Sequence, residues 1–384
     1  MKICVFTGGR AEYGLLKPLL KLLASDKDIT LQILVSGMHL CPEFGSTYKI
    51  IEEDGFCIDE KVEMILSSDT PVSICKSMGL GLISFSEALA RLQPDTLVTL
   101  GDRFENFAVS SAAWTLRIPI AHIQGGEITA GAIDDGFRHC ITKLSSLHFT
   151  ATEEYRNRVI QLGEQPSSVF NVGAINVESL KKTEIMNKDL LEKKLNFKID
   201  KRTILVTFHP STLDKTSSAI YFKQVLDAID ADASLRVIFT KTLADTDGRV
   251  INTMIDEYVT NNSDRCMASI SLGQIKYVSS LNYIGAVVGN SSSGIIETAS
   301  VPVATVNIGD REKGRICPDN VINSVNSIES ISDALKQALS DEFQSKVQGV
   351  TNPYDKEDTA KLIFNELSSF HKDHGSKEFF DLNT

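Results

Sequence analysis

Residues 1–23 read MKICVFTGGRAEYGLLKPLLKLL. A short apolar run at 3–7 ends on a glycine pair, and a helical pattern follows at 13–23. Strand, tight turn and helix open a βαβ unit, and the same unit recurs down the chain. Strand-like runs at 31–36, 96–100, 119–123 and 147–150 alternate with helical patterns at 74–92, 104–116 and 153–162. A second series follows, with runs at 203–208, 236–240, 286–289 and 303–307. Helical stretches at 219–230, 249–258, 273–280 and 294–299 lie between those runs. This alternation predicts an α/β protein of two doubly wound parallel sheets, in two domains facing across a cleft.

The chain has 384 residues, which suits two domains. Between the two series, residues 181–194 read KKTEIMNKDLLEKK, a charged stretch expected to form a solvated helix. The first domain is placed at 1–173 and the second at 174–355, with a last helix in 356–384 packing back on the first. Lys and Arg number 39 against 50 Asp and Glu, a net charge of −11. Nucleic acid and anionic membrane both require a basic face, so neither is an expected partner. The seven cysteines are scattered, with no C-x-x-C pair, so neither a disulfide framework nor a zinc site is expected. The opening residues read as a strand rather than a signal sequence, and no apolar run of about 20 residues is visible, which points to the cytoplasm. Trp114 reads as a core residue of its helix, and His371 and His374 lie in a polar tail where metal binding is not expected.

In open parallel sheets ligands bind beyond the carboxyl ends of the strands, so the residues following each run are the candidates. After the first run come Gly8, Gly9 and Arg10, without the G-x-G-x-x-G spacing of a dinucleotide fold. Arg10 at a helix start would favour a phosphate, or is a surface arginine beside a structural turn. Gly101-Asp102-Arg103 follows the run at 96–100. An acid there either caps the next helix or faces a ligand. The run at 119–123 leads into Gln124-Gly125-Gly126-Glu127, and Asp134 and Asp135 follow within nine residues of Glu127. Crowded carboxylates push their pKa values apart, which lets one site hold an acid and a base, although a solvated acidic loop has the same composition. In the second series, His209 stands at a strand end where it could donate to a phosphate or move a proton. Gly289-Asn290-Ser291-Ser292-Ser293-Gly294 offers hydroxyls and amides at a helix start, a diphosphate cradle without the lysine of a Walker A loop. Arg311 and Arg315 are placed to reach the same cleft.

Together GRAEYG at 9–14, GDR at 101–103, HIQGGE at 122–127, DDGFRH at 134–139, FHP at 208–210 and GNSSSG at 289–294 resemble the UDP-N-acetylglucosamine 2-epimerase family. The closer likeness is to its hydrolysing, NeuC-type branch of sialic acid biosynthesis, over about residues 1–370. The resemblance implies a GT-B arrangement of two Rossmann-like domains, no cofactor, no metal, a UDP-sugar substrate and a homodimer or homotetramer. It also implies elimination of UDP across C1–C2 of UDP-N-acetylglucosamine to a 2-acetamidoglucal, then hydration to N-acetylmannosamine. By the same resemblance Asp102 and Asp134 are acid/base residues; Glu127 joins them on its local chemistry. Arg10, Arg103, His209, Ser291, Ser292 and Arg311 would stabilise the departing UDP, and Gly294 is counted with them among the substrate-binding residues. Glu297 would meet ribose or uridine hydroxyls.

Two positions depart from the pattern. Hydrolysing relatives read H-I-E-G-G-E with a catalytic first Glu, and this chain has Gln124, which exchanges no proton at neutral pH but can hydrogen-bond an acetamido group or a water. The acid/base work then falls on Asp102, Glu127 and Asp134, or the substrate is UDP-2,4-diacetamido-2,4,6-trideoxyglucose. Leu243 stands where relatives often carry Asn near the nucleotide. Other readings are a non-hydrolysing epimerase, a GT-B glycosyltransferase and a nucleotide-sugar sensor without turnover.

Overall fold

The computed structural model describes residues 1–68, 70–211, 216–242, 248–370 and 377–382. Leu243 and the His371 and His374 pair lie outside the described residues. Two compact units form. The first comprises Met1–Glu127, Asp134–Ser179 and Tyr354–Thr384; the second comprises Ile128–Ile133 and Leu180–Pro353.

Seven strands build the sheet of the first unit: β1 (Lys2–Thr7), β2 (Thr30–Ser36), β3 (Glu60–Val62), β4 (Thr96–Leu100), β5 (Ile120–Ile123), β6 (Leu147–Thr150) and β7 (Val169–Asn171). Their order is β3-β2-β1-β4-β5-β6-β7, every pair parallel. Side chains alternate across the pleat. Ile3 and Val5 therefore enter one core with Leu16, Leu19 and Leu20 of the helix Arg10–Ser25 and Ile363 and Leu367 of the helix Thr359–Ser369. Cys4 and Phe6 enter the core on the other face, with Phe85 and Leu89 of the helix Pro71–Leu92 and Val109 of the helix Phe104–Thr115.

The second unit has six strands: β8 (Thr203–Thr207), β9 (Arg236–Thr240), β10 (Cys266–Ser269), β11 (Ala286–Gly289), β12 (Ala304–Ile308) and β13 (Val321–Ser324). Their order is β10-β9-β8-β11-β12-β13, again all parallel. Ile204 and Val206 of β8 face one core and Leu205 the other. The doubly wound α/β class read from the alternation is thus the observed one.

Several local expectations are corrected. The charged stretch follows the helix Ile175–Lys181 and is helical only in the short segment Lys188–Leu195, which is not a solvated rod. Leu191 and Leu195 enter the core with Phe197, Ile199 and Leu205, because the lysines occupy only the outer face. Trp114 is 46% exposed at the end of its helix rather than in the core. The helix Pro71–Leu92, at 22 residues, is long and apolar enough by length and composition to cross a membrane. Its apolarity was hidden by the serines and Lys76 spaced along it. Phe85, Ala88 and Leu89 bury one of its sides in the first unit.

Candidate functional site

Each sheet reverses its winding at one point, between β1 and β4 in the first unit and between β8 and β11 in the second. Strand connections diverge there and leave a crevice beyond the carboxyl ends. The sequence-selected residues gather at these two points.

In the first unit, β1 is followed by Arg10, β4 by Asp102 and Arg103, and its neighbour β5 by Gln124 and Glu127. The strand ends are cross-linked. Asn106 donates through Nδ2 to Glu12 Oε1 at 3.0 Å and also to the carbonyl of Leu100. The Gly8 N–H donates to Glu12 Oε2, closing the loop after β1. Burial, the largest influence on Glu12, pushes its carboxyl up to about 7, against the lowering effect of those donors. His122 Nε2 donates to the carbonyl of Gly101 at 2.8 Å, leaving Nδ1 to accept from Thr142 Oγ1 at 3.1 Å. Burial holds that ring down to about 3, so it is a neutral spacer between β5 and the turn that presents Asp102.

Asp102 does not cap the following helix, whose N-cap position is Arg103 with no side-chain capping bond. Its carboxylate pairs instead with the guanidinium of Arg138. Arg138 is only 2% exposed, and its Nη1 donates to Asp135 Oδ1 at 2.9 Å and to the Glu127 carbonyl at 3.0 Å. A buried guanidinium needs this many acceptors to offset its lost hydration. Arg138 thereby joins Asp102, Asp135 and the Glu127 backbone, while Asp134 opens the same helix, Asp134–Leu144. Glu127 itself is buried, and Asp102 stays about a quarter exposed, at 24%. Gln124 sits in the left-handed region at φ 66°, and its Nε2 donates to Asn176 Oδ1. A non-glycine residue held there costs backbone energy and persists only where its surroundings fix it. Arg103 pairs with the buried Glu105 at 3.2 Å, and Arg10 is exposed.

In the second unit, the side chain of Asn290, buried after β11, clasps the backbone after β8. Its Oδ1 accepts from the His209 N–H at 2.7 Å and its Nδ2 donates to the His209 carbonyl at 2.8 Å. Arg311 Nη1 donates to the Asn290 carbonyl at 3.0 Å. Glu312, fully buried, holds Arg311 on one side and Arg315 on the other. His209, Ser291, Ser292 and Arg311 are thus brought to one sheet edge. The helix expected at 294–299 is one turn, Ser293–Ile296, followed by a 3-10 turn at Thr298–Ser300. Any anion there would therefore meet individual amides, Ser291 and Ser292 rather than a long helix dipole. Gly294 is buried within this turn, and Glu297 follows it facing Tyr277, whose hydroxyl is pushed well above its ordinary range by burial and by that carboxylate. Arg138 and Asn290 stood inside the motifs at 134–139 and 289–294 without a role of their own, and Asn176 and Glu312 were not singled out from the sequence. Among the described residues no group of three or more His, Cys, Asp or Glu is placed to hold a metal ion.

Two doubly wound α/β units of this kind form a fold that solved structures share. The structure of Neisseria meningitidis UDP-GlcNAc 2-epimerase bound to UDP-GlcNAc superposes with a TM-score of 0.79 at 19% identity, over 96% of this chain and 100% of that one. The family model for UDP-N-acetylglucosamine 2-epimerase matches residues 21–368, and the chain belongs to that family, in its hydrolysing branch. It is 42% identical over 343 residues to the Campylobacter jejuni GDP/UDP-N,N'-diacetylbacillosamine 2-epimerase (hydrolyzing), covering 89% of this chain and 88% of the relative. It is also 38% identical over 386 residues to the Escherichia coli polysialic acid biosynthesis protein P7, covering 99% and 97% respectively.

Proposed function

We propose that this protein is a hydrolysing 2-epimerase that converts a UDP-linked 2-acetamido sugar of gluco configuration to the free manno sugar and UDP. The observation that carries the reading is the carboxylate group around buried Arg138 at the first sheet's winding reversal. The C2 proton of such a sugar is not α to a carbonyl, so it becomes removable only as the C1–O bond breaks and positive charge develops on the ring. A carboxylate takes the C2 proton, the C1–O electron pair leaves with UDP, and a C1–C2 double bond remains. Water then adds its oxygen to C1 while a proton returns to C2 from the opposite face, which inverts that centre. In this reading Asp102, Glu127 and Asp134 share the proton transfers. Arg10, Arg103, His209, Ser291, Ser292 and Arg311 offset the charge on departing UDP, and Glu297 meets ribose or uridine hydroxyls. Such chemistry asks nothing of a cofactor.

For the substrate, the 42% identity to the Campylobacter jejuni protein and the neutral Gln124–Asn176 pair favour UDP-N,N'-diacetylbacillosamine, the 2,4-diacetamido-2,4,6-trideoxy sugar. An amide pair is suited to hydrogen-bonding an acetamido group and stays uncharged at every pH. UDP-N-acetylglucosamine, giving N-acetylmannosamine for sialic acid synthesis, is the second reading; the Escherichia coli relative's role in polysialic acid biosynthesis favours it. NMR in D₂O with each sugar in turn decides. Free UDP with a C2-deuterated manno product from the diacetamido sugar is the expected result. The same product pair from UDP-N-acetylglucosamine alone moves the assignment to the second reading. A UDP-linked manno product without free UDP overturns hydrolysis, and UDP binding without turnover of either sugar leaves a sensor.

A further inference from the structure

The chain leaves the first unit after Glu127, contributes Ile128–Ile133 to the second unit and re-enters the first at Asp134. The six residues are therefore bracketed by two of the proposed proton-transfer carboxylates. We propose that this segment is a tether through which the nucleotide-binding turn 310–315 sets the positions of Glu127 and Asp134, with Gly131 as its positioning residue. The proposal rests on the reading of Arg311 as a UDP ligand.

The segment lies backbone against backbone on that turn. The Gly131 N–H donates to the Arg311 carbonyl and the Ala130 N–H to the Lys313 carbonyl, each at 3.4 Å. These long bonds are weak, and the packing is the stronger observation. A Cβ on Gly131 would lie 2.6 Å from Arg311 Cα and 3.1 Å from the Asp310 carbonyl oxygen. On the other side of the turn, a Cβ on Gly314 would lie 2.6 Å from Ile128 Cγ2. Thr129 and Ala132 are buried, and a turn bond from the Ala132 N–H to the Thr129 carbonyl at 3.0 Å stiffens the segment.

The 310–315 turn is equally constrained. Buried Glu312 holds Arg311 and Arg315, and Arg311 reaches the Asn290 carbonyl beside Ser291 and Ser292. No flexible side chain separates Arg311 from Gly131, so a displacement of one backbone is taken up by the other. Three residues on one side of Gly131 and two on the other then carry it to Glu127 and Asp134. The Glu127 carbonyl in turn accepts from Arg138, the partner of Asp102. Diphosphate engagement by Arg311 would thus complete the proton-transfer group, so that the carboxylates are set only when a leaving group is in place.

Hydrogen exchange of the intact protein with and without UDP tests this. UDP is expected to slow exchange about tenfold at 290–296 and 311–315, and to slow it in parallel at 127–138. In Gly131→Ala the protection at 290–296 should persist while that at 134–138 is lost. UDP release from the substrate should then fall about tenfold in kcat, with the Kd for UDP within about threefold of wild type. Protection in the wild type confined to 290–296 and 311–315 would overturn the tether while leaving the UDP site standing. No protection at 290–296 would overturn the UDP assignment itself, and the tether with it.

Discussion

Arg138 shows how one side chain can organise several others. Its guanidinium carries a permanent charge into a space where it is 2% exposed, and Asp102 and Asp135 close around it. Two consequences are separable. Asp102→Asn keeps the shape but removes the proton acceptor, so kcat should fall by roughly 10²–10⁴ while the Kd for UDP stays within about threefold. Near-normal turnover would remove Asp102 from the mechanism. Arg138→Met instead leaves two carboxylates facing each other without a counter-charge. It should destabilise the first unit by about 2 kcal/mol or more, a figure reduced from that of a fully buried pair because both acids are part exposed. Urea unfolding followed by Trp114 fluorescence measures it; an unchanged midpoint would mean the pair contributes nothing net. At this scale the sequence was informative where chemistry follows a strand directly, as at Arg10, Asp102, Gln124, His209 and Ser291. It was silent where a polar side chain acts from inside an element. Asn176 belongs to that second kind, and Arg138, though inside the motif at 134–139, was given no role, because a helix position facing inward is read as apolar by default.

At the scale of elements the same limit recurs. Strands β3, β7, β10 and β13 were not expected, and each is an edge strand of its sheet. They have three or four residues and burial on fewer sides, so they lack the continuous apolar run that marks β1, β4 or β8. The helix Asp134–Leu144 escaped notice because its buried face is Arg138, Ile141 and Thr142, only one of them apolar. Its carboxyl end depends on the chain terminus. Lys377 Nζ donates to the carbonyls of Lys143 and Ser145 at 2.6 and 2.7 Å and pairs with Glu164 Oε2 at 2.6 Å. Buried Glu164 also accepts from Lys143 and His148, and although burial opposes it, these partners bring its carboxyl down to about 2. Lys377→Met should therefore loosen the end of the helix that carries Asp134 and Arg138, at a cost of about 1–3 kcal/mol. Faster amide exchange at 141–146 than in the wild type is the expected sign. Unchanged exchange there would mean Lys143 alone suffices for Glu164.

The whole molecule divides its titratable groups unevenly. Of the seven histidines only His209 belongs to the second unit, whereas His39, His122 and His148 are buried in the first. Burial holds His39 down to about 4 and His122 down to about 3, and lowers His148 as well. Between these values and the ordinary 6.5 the unfolded chain binds protons that the fold refuses. Stability from these rings is thus complete above about pH 6.5 and is lost as pH falls through that window. For His122 alone the loss reaches about 2 kcal/mol by pH 5. Glu12 works the other way: its carboxyl is raised to about 7, so the fold gains on protonation between pH 7 and about 4.5. His39 and His122 together outweigh the one carboxyl, and below about pH 4.5 Glu164 adds its own loss. The first unit should accordingly unfold in acid before the second. Trp114, the single tryptophan, lies in the first unit and reports on it alone. In an acid titration its fluorescence should change at a higher pH than the far-ultraviolet circular dichroism, which sums over both sheets. UDP should raise the midpoint of the later, second-unit transition. Coincident transitions without UDP would mean that the two units unfold as one, and the uneven placing of the histidines would then have no separate consequence.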